Sequence, residues 1–278
     1  MPHIAAIQLA SGPNVSANLS ETERLIDSAV ASGAKLIVLP ENFAMMGMSD
    51  QDHLRIAETS GQGPIQAFLS QQAKRHGIWL VGGTVPIKGD NPMKVRAACL
   101  LFDDSGQCAA RYDKNHLFDV SLKEGTEVYA ESMTFELGNE VVVADTPFGK
   151  LGIAVCYDLR FPELFRCMLD KGVEIIVLPA AFTAITGQAH WEMLVRARAI
   201  ENLCYVIAAA QGGYHVSGRQ THGDSMIVDP WGVILDRLPH GAGFVRADLD
   251  RERLINIRRN FPAIEHRRFA CALNKQVI

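Results

Sequence analysis

Short apolar runs alternate with segments of helical spacing along the whole chain, and this alternation is the feature that most restricts its fold. The runs His3–Leu9, Leu36–Leu39, Ile175–Leu178 and Cys204–Ala210 have the length and apolar content of buried strands. Between them lie segments such as Ser20–Ser32, where apolar side chains recur every three or four residues. Strands that alternate with helices predict an α/β fold.

Local signals predict where several elements begin and end. Ser20 and Glu23 form a capping-box pattern, and Gly33 stands where a C-cap glycine belongs. Asp158 is a candidate N-cap for a later helix, with Pro162 in its first turn. Further helices and one strand are predicted over Ile65–His76, Phe161–Lys171, His190–Asn202 and Trp79–Val85.

Two stretches of the chain resemble each other. Residues 35–43 read KLIVLPENF and residues 174–182 read EIIVLPAAF, so each is a buried strand stopped by Leu-Pro and followed by Phe. Buried strands often look alike, and that is one interpretation. The other is two related β-α-β halves packed sheet on sheet, which gives a four-layer α-β-β-α sandwich. In both interpretations Glu41 lies just past the carboxyl end of a strand, where α/β folds keep their ligands.

Composition excludes several classes of function. The 278 residues are 48% hydrophobic and 21% charged, as in an ordinary globular protein, and the net charge is −4. A chain with no basic surplus is a poor partner for nucleic acid or an anionic membrane. No apolar run approaches the roughly 20 residues of a membrane span, and the start lacks the positive region of a signal peptide. Without a linker or composition shift, residues 1–278 are predicted to form a single domain.

The cysteines and histidines point away from disulfides and metals. No C-x-x-C or H-E-x-x-H pattern occurs, and in a chain of this length scattered cysteines argue against a disulfide framework or a zinc site. A reducing cytoplasm is therefore expected. The six cysteines are Cys99, Cys108, Cys156, Cys167, Cys204 and Cys271.

Cys156 has a context that the other cysteines lack. A buried strand leads into it and a helix follows soon after, so the thiol is predicted on a strand-to-helix elbow. Amides at a helix N-terminus can lower a thiol pKa and bind a developing oxyanion. The alternative is an inert packing residue, which is the commoner state of a single buried cysteine.

Glu41 and Lys114 are the other two candidates for chemistry. Glu41 stands within an apolar strand end, where loss of water should raise the pKa of its carboxyl group and suit it to general-base work. Lys114, in the stretch Arg111–Asp119, can hold a positive charge over a reacting carbonyl. Taken singly, Glu41 could be a helix-capping or surface residue, and Lys114 would more readily be a solvated loop lysine.

Taken in order, these motifs resemble the nitrilase, or carbon–nitrogen hydrolase, superfamily over essentially the whole chain. They are LPE at 39–41, KNHLFD at 114–119 and CYDLRFPE at 156–163. AAFTAITG at 180–187, HW at 190–191, RARAIEN at 196–202 and HGDSMIVDPWG at 222–232 are similar to its Nit branch, which includes deaminated glutathione amidases and ω-amidases.

The resemblance implies roles for the matching positions. Cys156 would be the nucleophile, Glu41 the general base and Lys114 the oxyanion partner, aided by the backbone N–H of Tyr157. Neither a metal nor an organic cofactor is implied. The fold would be the four-layer sandwich, and two sandwiches would stack as a homodimer through helices Phe161–Lys171 and His190–Asn202.

A fourth acidic residue is also implied by the resemblance. Glu131, in the stretch 129–132, matches the family acid that orients the site. Glu124 and Glu127 lie nearby and are alternatives, as is the interpretation that Glu131 is an exposed loop acid.

Substrate choice rests on three further positions. In deaminated glutathione amidases, positions matching Arg160, Phe182 and Thr186 are similar to ones that hold a 2-oxo-acid end. The expected reaction is hydrolysis of deaminated glutathione to 2-oxoglutarate and cysteinylglycine, with ω-amidase action on 2-oxoglutaramate as the alternative. Arg160 could instead form a structural ion pair with Glu163 or Asp158.

Three alternatives of other kinds stay open. A Cys–His peptidase would pair Cys156 with His116, His190 or His222, but the flanking signatures of such enzymes are absent. A class I amidotransferase would require a Gly-x-Cys-x-Gly elbow, which this chain lacks. A nitrilase-like fold could also serve as a binding subunit, and loss of Glu, Lys or Cys would have indicated that.

Overall fold

The structure, a computed structural model, describes residues 1–122 and 127–271. In chain order its helices are α1 Val15–Ala31, α2 Asp52–Arg55, α3 Pro64–His76, α4 Pro162–Asp170, α5 Ala184–Asn202 and α6 Arg251–Asn260. Its strands are β1 His3–Gln8, β2 Ala34–Val38, β3 Trp79–Val81, β4 Val85–Lys88, β5 Val95–Phe102, β6 Cys108–Asp113, β7 Asp119–Leu122, β8 Glu127–Ala130, β9 Phe135–Glu136, β10 Val143–Thr146, β11 Gly149–Ile153, β12 Ile175–Ala180, β13 Tyr205–Ala210, β14 Gly212–Tyr214, β15 Gln220–His222, β16 Ser225–Val228, β17 Ile234–Leu238 and β18 Gly243–Asp248.

Most of these strands belong to two large sheets. The first has the order β18-β1-β2-β3-β5-β4, with β6 and β9 also paired to β5, and the second has the order β10-β11-β12-β13-β16-β17. In the first, β1, β2 and β3 run parallel, and in the second β11, β12 and β13 do the same. The two similar stretches of sequence therefore occupy matching places in two sheets, which favours the interpretation of two related halves.

The sheets pack face to face and carry helices on their outer faces. One apolar cluster joins side chains of both sheets, such as Val38 of β2 and Val177 of β12, and continues to Trp191 of α5. A second cluster joins the opposite face of the first sheet to α1 and α3 through Ile26 and Leu69. The α/β prediction and its four-layer α-β-β-α sandwich are thus confirmed.

Two helices begin earlier than the apolar periodicity predicts. Helix α1 starts at Val15, because the Asn14 side chain accepts a hydrogen bond from the backbone N–H of Ala17. The capping box predicted at Ser20 is therefore wrong, since Ser20 lies inside the helix. Helix α5 starts at Ala184, with Thr183 as its side-chain cap. Polar caps beyond the apolar stripe decide both starts.

The strand predicted over Trp79–Val85 is split into β3 and β4. Gly83 lies between them at φ +54°, and a Cβ atom there would stand 2.1 Å from the Pro40 carbonyl oxygen. Only glycine tolerates both this conformation and this close approach. The bend brings the chain against the segment that precedes Glu41.

Across the part of the chain that is described, no helix has the length and apolar character needed to cross a membrane.

Candidate active site

Three strand ends bring Glu41, Lys114 and Cys156 together. Glu41 follows β2, Lys114 follows β6 directly, and Cys156 begins a 3-10 turn after β11. Lys114 Nζ lies 2.9 Å from Glu41 Oε1, across 73 residues of sequence. All three side chains are at most 8% exposed. The structure thus brings together the three residues that the sequence singled out.

Cys156 occupies the predicted strand-to-helix elbow. Its φ is +49°, which is rare for a non-glycine residue and costs about 1–3 kcal/mol. The backbone N–H of Ala181 points at the thiol, with a nitrogen-to-sulfur distance of 3.5 Å. The thiol lies close enough to the Glu41 carboxylate to interact with its charge.

Asp158 is fully buried and stabilises the elbow through hydrogen bonds. Its carboxylate accepts hydrogen bonds from the Val155 backbone N–H at 2.8 Å and from the Tyr112 hydroxyl at 2.7 Å. It also lies 2.6 Å from Nδ1 of His116. The predicted N-cap role is wrong, because helix α4 begins after Phe161 and Asp158 belongs to the preceding turn. Pro162 does stand at the first position of α4.

Asp158→Ala is expected to destabilise the protein by about 3 kcal/mol or more, because it leaves several buried donors without an acceptor. Tyr112→Phe removes only one of those hydrogen bonds and should cost about 1–2 kcal/mol. Urea unfolding of the two variants measures the difference. Equal stabilities for Asp158→Ala and the unaltered protein would show that the elbow does not depend on this carboxylate.

Lys114 is a buried cation held between two carboxylates. Besides Glu41, its Nζ contacts Glu131 Oε1 and Oε2 at 2.8 and 2.9 Å. Burial alone would lower the pKa of Lys114, but Glu131 and Glu41 together hold it well above the ordinary value. Lys114 therefore carries a fixed positive charge beside the thiol.

The pKa of Glu41 is lowered, against the expectation from sequence that desolvation would raise it. Burial does push the pKa upward, but the charge and the hydrogen bond of Lys114 outweigh it. The pKa of the Cys156 thiol is raised well above its usual value, by burial first and then by the Glu41 charge. The resting site therefore pairs an ionised carboxylate with a protonated thiol.

This charge state predicts how activity depends on pH. From neutral pH to 9.0, the usual thiol pKa, kcat/KM should not rise, because the raised pKa of Cys156 keeps the thiol protonated. Below neutrality, Glu41 should stay ionised to below pH 4.5, because its pKa is lowered. A loss of activity that begins above pH 4.5 is therefore assigned to Glu131, whose pKa is raised by burial. Profiles of the unaltered enzyme and Glu131→Gln test this, and a rise that follows free-thiol ionisation would contradict it.

Glu131 is the acid that contacts Lys114 among those predicted for the fourth position. Its Oε2 also accepts a hydrogen bond from the Phe118 backbone N–H at 2.6 Å. Glu127 instead accepts one from the Tyr129 hydroxyl. Glu124 lies outside the described residues.

The three residues line one cavity, together with the side chains of eleven other residues. Aromatic side chains and two arginines surround the reacting end, so a ligand there would meet both apolar faces and cations. The lining residues are Glu41, Asn42, Asp50, Lys114, Phe118, Tyr129, Glu131, Phe135, Cys156, Tyr157, Arg160, Ala181, Phe182 and Arg219.

Arg160 lines this cavity instead of forming the structural ion pair considered from the sequence. Its guanidinium carbon lies 5.2 Å from the ring centre of Phe182 and 5.9 Å from that of Tyr157. Within residues 1–122 and 127–271 no ion pair joins it to Glu163 or Asp158, whereas His190 Nδ1 lies 3.2 Å from its Nη1. The guanidinium lies over aromatic rings and is able to bind an anion.

Thr186 and the Tyr157 backbone amide have less direct support. The hydroxyl of Thr186 lies 2.8 Å from that of Thr183, in the first turn of α5, and Thr186 is not among the side chains that line the cavity. Tyr157 does line it. Their contacts with substrate stay predictions.

None of the three histidines considered for a Cys–His pair lines the cavity of Cys156 in the described structure. His116 stacks on Phe161 with ring centres 3.7 Å apart, and His222 lies 3.7 Å from Asp224. Over the described ranges, no group of three or more His, Cys, Asp or Glu side chains is arranged to hold a metal ion.

Sequence reasoning missed several lining residues of this cavity, and Arg219 is the one that adds a second guanidinium. It lies between β14 and β15, donates a hydrogen bond to the Ala181 carbonyl oxygen at 3.0 Å, and stacks over the Tyr129 ring at 5.1 Å. It stands shortly before the motif at 222–232, and an arginine so close to a family motif is the signal that could have found it.

The chain matches the carbon–nitrogen hydrolase family over residues 3–259. It is 43% identical to a deaminated glutathione amidase of Yersinia enterocolitica, across 98% of this chain and 94% of that protein.

Solved structures agree with this match. The NitFhit protein of C. elegans superposes with a TM-score of 0.89 at 35% identity, covering 96% of this chain. The match spans 65% of the NitFhit chain. A mutant amidase of Nesterenkonia sp. AN1, carrying an acrylamide adduct at its active-site cysteine, has a TM-score of 0.78 at 26% identity over 94% of this chain and 98% of that one.

Proposed function

Since the chain belongs to the carbon–nitrogen hydrolase family and is an amide-hydrolysing enzyme, we propose that it hydrolyses deaminated glutathione to 2-oxoglutarate and cysteinylglycine. The observation that carries the proposal is the buried Glu41–Lys114–Cys156 cluster in a cavity that Arg160 also lines. The relative from Yersinia is named for this activity. Because the chain is an amide-hydrolysing enzyme, the interpretation of a non-catalytic binding subunit is dropped.

The reaction begins with attack by the thiol. Ionised Glu41 takes the proton of Cys156 as the sulfur attacks the amide carbon, so a carbon–sulfur bond forms while the carbonyl oxygen gains negative charge. A thiol whose pKa is raised becomes nucleophilic only when the base removes its proton during attack. Glu41 is proposed as that base.

The developing oxyanion needs positive charge and hydrogen-bond donors. Lys114 supplies the fixed charge, and the backbone N–H groups of Tyr157 or Ala181 are the neighbouring donors. Glu41 then returns its proton to the leaving amine, and the carbon–nitrogen bond breaks. Water, deprotonated by Glu41, hydrolyses the thioester, which releases the acid and restores the thiol. Glu131 holds Lys114 in place throughout.

Arg160 is proposed to bind the carboxylate at the 2-oxo-acid end of the acyl group. The rings of Phe182 and Tyr157 lie beside the guanidinium, and its N–H groups can form a bidentate pair with a carboxylate. The same acyl group occurs in 2-oxoglutaramate, so ω-amidase action would use Arg160 in the same way.

Arg160→Gln is expected to raise KM for carboxylate-bearing substrates about tenfold or more, the usual cost of losing a hydrogen bond to a charged group. The kcat should change less, and neutral amides should lose little. Steady-state kinetics on a carboxylate-bearing amide and its neutral analogue measure this. Equal losses on both would assign Arg160 a structural role.

A turnover panel tests the proposed function itself. Purified enzyme is offered deaminated glutathione, 2-oxoglutaramate, asparagine-like amides, nitriles and N-carbamoyl compounds, and amine or ammonia release is followed. The highest kcat/KM is expected for deaminated glutathione. A clear preference for 2-oxoglutaramate would make the protein an ω-amidase instead.

The assembly and setting are proposals as well. We propose a homodimer through α4 and α5, supported by the exposed apolar side chains Ile185, Met193 and Ile200 on α5. Residues 1–278 are proposed to form one catalytic domain, supported by a site built from both sheets. All six cysteines are free, which favours a cytoplasmic setting.

The proposed dimer interface is tested with Met193→Glu. This variant is expected to be monomeric when its molar mass is measured by light scattering.

A further inference from the structure

The cavity holds a second guanidinium, from Arg219, that the proposed mechanism does not use. Arg219 Nη2 donates to the Ala181 carbonyl oxygen at 3.0 Å, and the N–H of the same Ala181 points at Cys156 Sγ. Arg160 stacks on the ring of the next residue, Phe182. Two cations therefore border adjacent residues of one segment beside the nucleophile.

Arg219 has unused capacity for hydrogen bonding. Its Nε is buried and has no hydrogen-bond partner among residues 1–122 and 127–271, although a buried polar group without a partner is costly. Among the described residues, no carboxylate lies within 4.0 Å of its guanidinium nitrogens, even though Asp50 also lines the cavity. A bound anion would supply the missing acceptor.

The length of the substrate allows a second cation to bind its leaving group. Through Ala181, the Arg219 guanidinium is at most about 10 Å from the thiol sulfur, given ordinary backbone dimensions. The terminal carboxylate of a dipeptide leaving group lies up to about 7 Å from the scissile nitrogen when extended. A dipeptide leaving group is therefore long enough to reach Arg219 from the scissile bond.

We infer that Arg219 binds the carboxylate of the leaving amine, and so selects amides whose leaving group is a short peptide acid over those that release ammonia. Tyr129, under the guanidinium, would hold it in place. This inference rests on the proposed function: it adds a site for the cysteinylglycine half to the site for the acyl half. Arg160 would then serve every 2-oxo-acid amide and Arg219 only those with a carboxylate beyond the scissile bond.

The test compares Arg219→Gln with Arg160→Gln on three substrates. These are deaminated glutathione, the same molecule with its terminal carboxylate converted to a carboxamide, and 2-oxoglutaramate. Arg219→Gln should lower kcat/KM for deaminated glutathione about 10- to 100-fold, mainly through KM, as loss of a partner for a charged group does. It should leave the other two substrates within about twofold. Arg160→Gln should lower all three, and thermal unfolding of both variants checks that they fold.

Each other outcome has a distinct meaning. Equal losses on all three substrates for Arg219→Gln would overturn the inference, because the side chain would then act by positioning Ala181 beside the thiol. No loss on deaminated glutathione would overturn it too. If the unaltered enzyme turns over 2-oxoglutaramate but not deaminated glutathione, the proposed substrate is wrong and the inference falls with it.

Discussion

Cys156→Ala is expected to lower kcat by at least about 10⁴-fold on every amide that the enzyme hydrolyses, because it removes the proposed nucleophile. Folding should survive, since alanine fits a site that already holds a small side chain. The positive φ of +49° is unfavourable for alanine and cysteine alike, so only a modest loss of stability is expected, from the missing sulfur. Steady-state turnover and urea unfolding measure the two effects separately.

Cys204→Ala is the matched control for this loss. Cys204 is buried like Cys156, but it lies just after α5 in the apolar core, with its Sγ 3.8 Å from the Arg198 carbonyl oxygen. Its substitution should cost stability and leave kcat near that of the unaltered enzyme. Full turnover by Cys156→Ala would refute the assignment of the nucleophile.

Lys114→Met is expected to be the second most damaging change, and to harm both catalysis and stability. Removing an oxyanion donor costs about 10²- to 10³-fold in kcat. Removing one partner of a buried ion cluster costs about 3–5 kcal/mol, because the carboxylates of Glu41 and Glu131 stay buried without a counter-charge. Their mutual repulsion should also raise the pKa of Glu41 and move the acid limb of the pH profile upward.

Lys150→Met is a suitable comparison for Lys114→Met. Lys150 pairs with Asp145 at 3.0 Å, but both side chains are largely exposed, so its loss should cost at most about 1 kcal/mol. If Lys114→Met matched Lys150→Met in both kcat and unfolding free energy, the buried cluster would have no special role.

The strands and their order in the chain could be predicted because buried strands are short, apolar and stopped by Pro or Gly. The starts of α1 and α5 were harder to predict, because the polar caps Asn14 and Thr183 lie outside the apolar stripe that predicts these helices. The split of Trp79–Val85 depends on Gly83 meeting a carbonyl from a distant segment, and no local pattern reports that contact.

The site residues also divide into those that local sequence patterns indicate and those that depend on contacts between distant segments. Glu41, Lys114 and Cys156 could be found because each lies in a recognisable motif at a strand end. The direction of the Glu41 pKa could not, because it depends on Lys114, which is 73 residues away in sequence and 2.9 Å away in space. The cavity position of Arg219 likewise depends on its contacts with Ala181 and Tyr129, which only the folded chain brings together.

The central claim is that Cys156 forms a thioester with the acyl half of the substrate. Rapid acid quench during turnover, followed by peptide mass analysis, measures this directly. The account predicts one 2-oxoglutaryl group on the peptide that contains Cys156, with the same adduct from deaminated glutathione and from 2-oxoglutaramate. An adduct on another residue, or turnover in single-turnover conditions with no acyl-enzyme at any quench time, would contradict it.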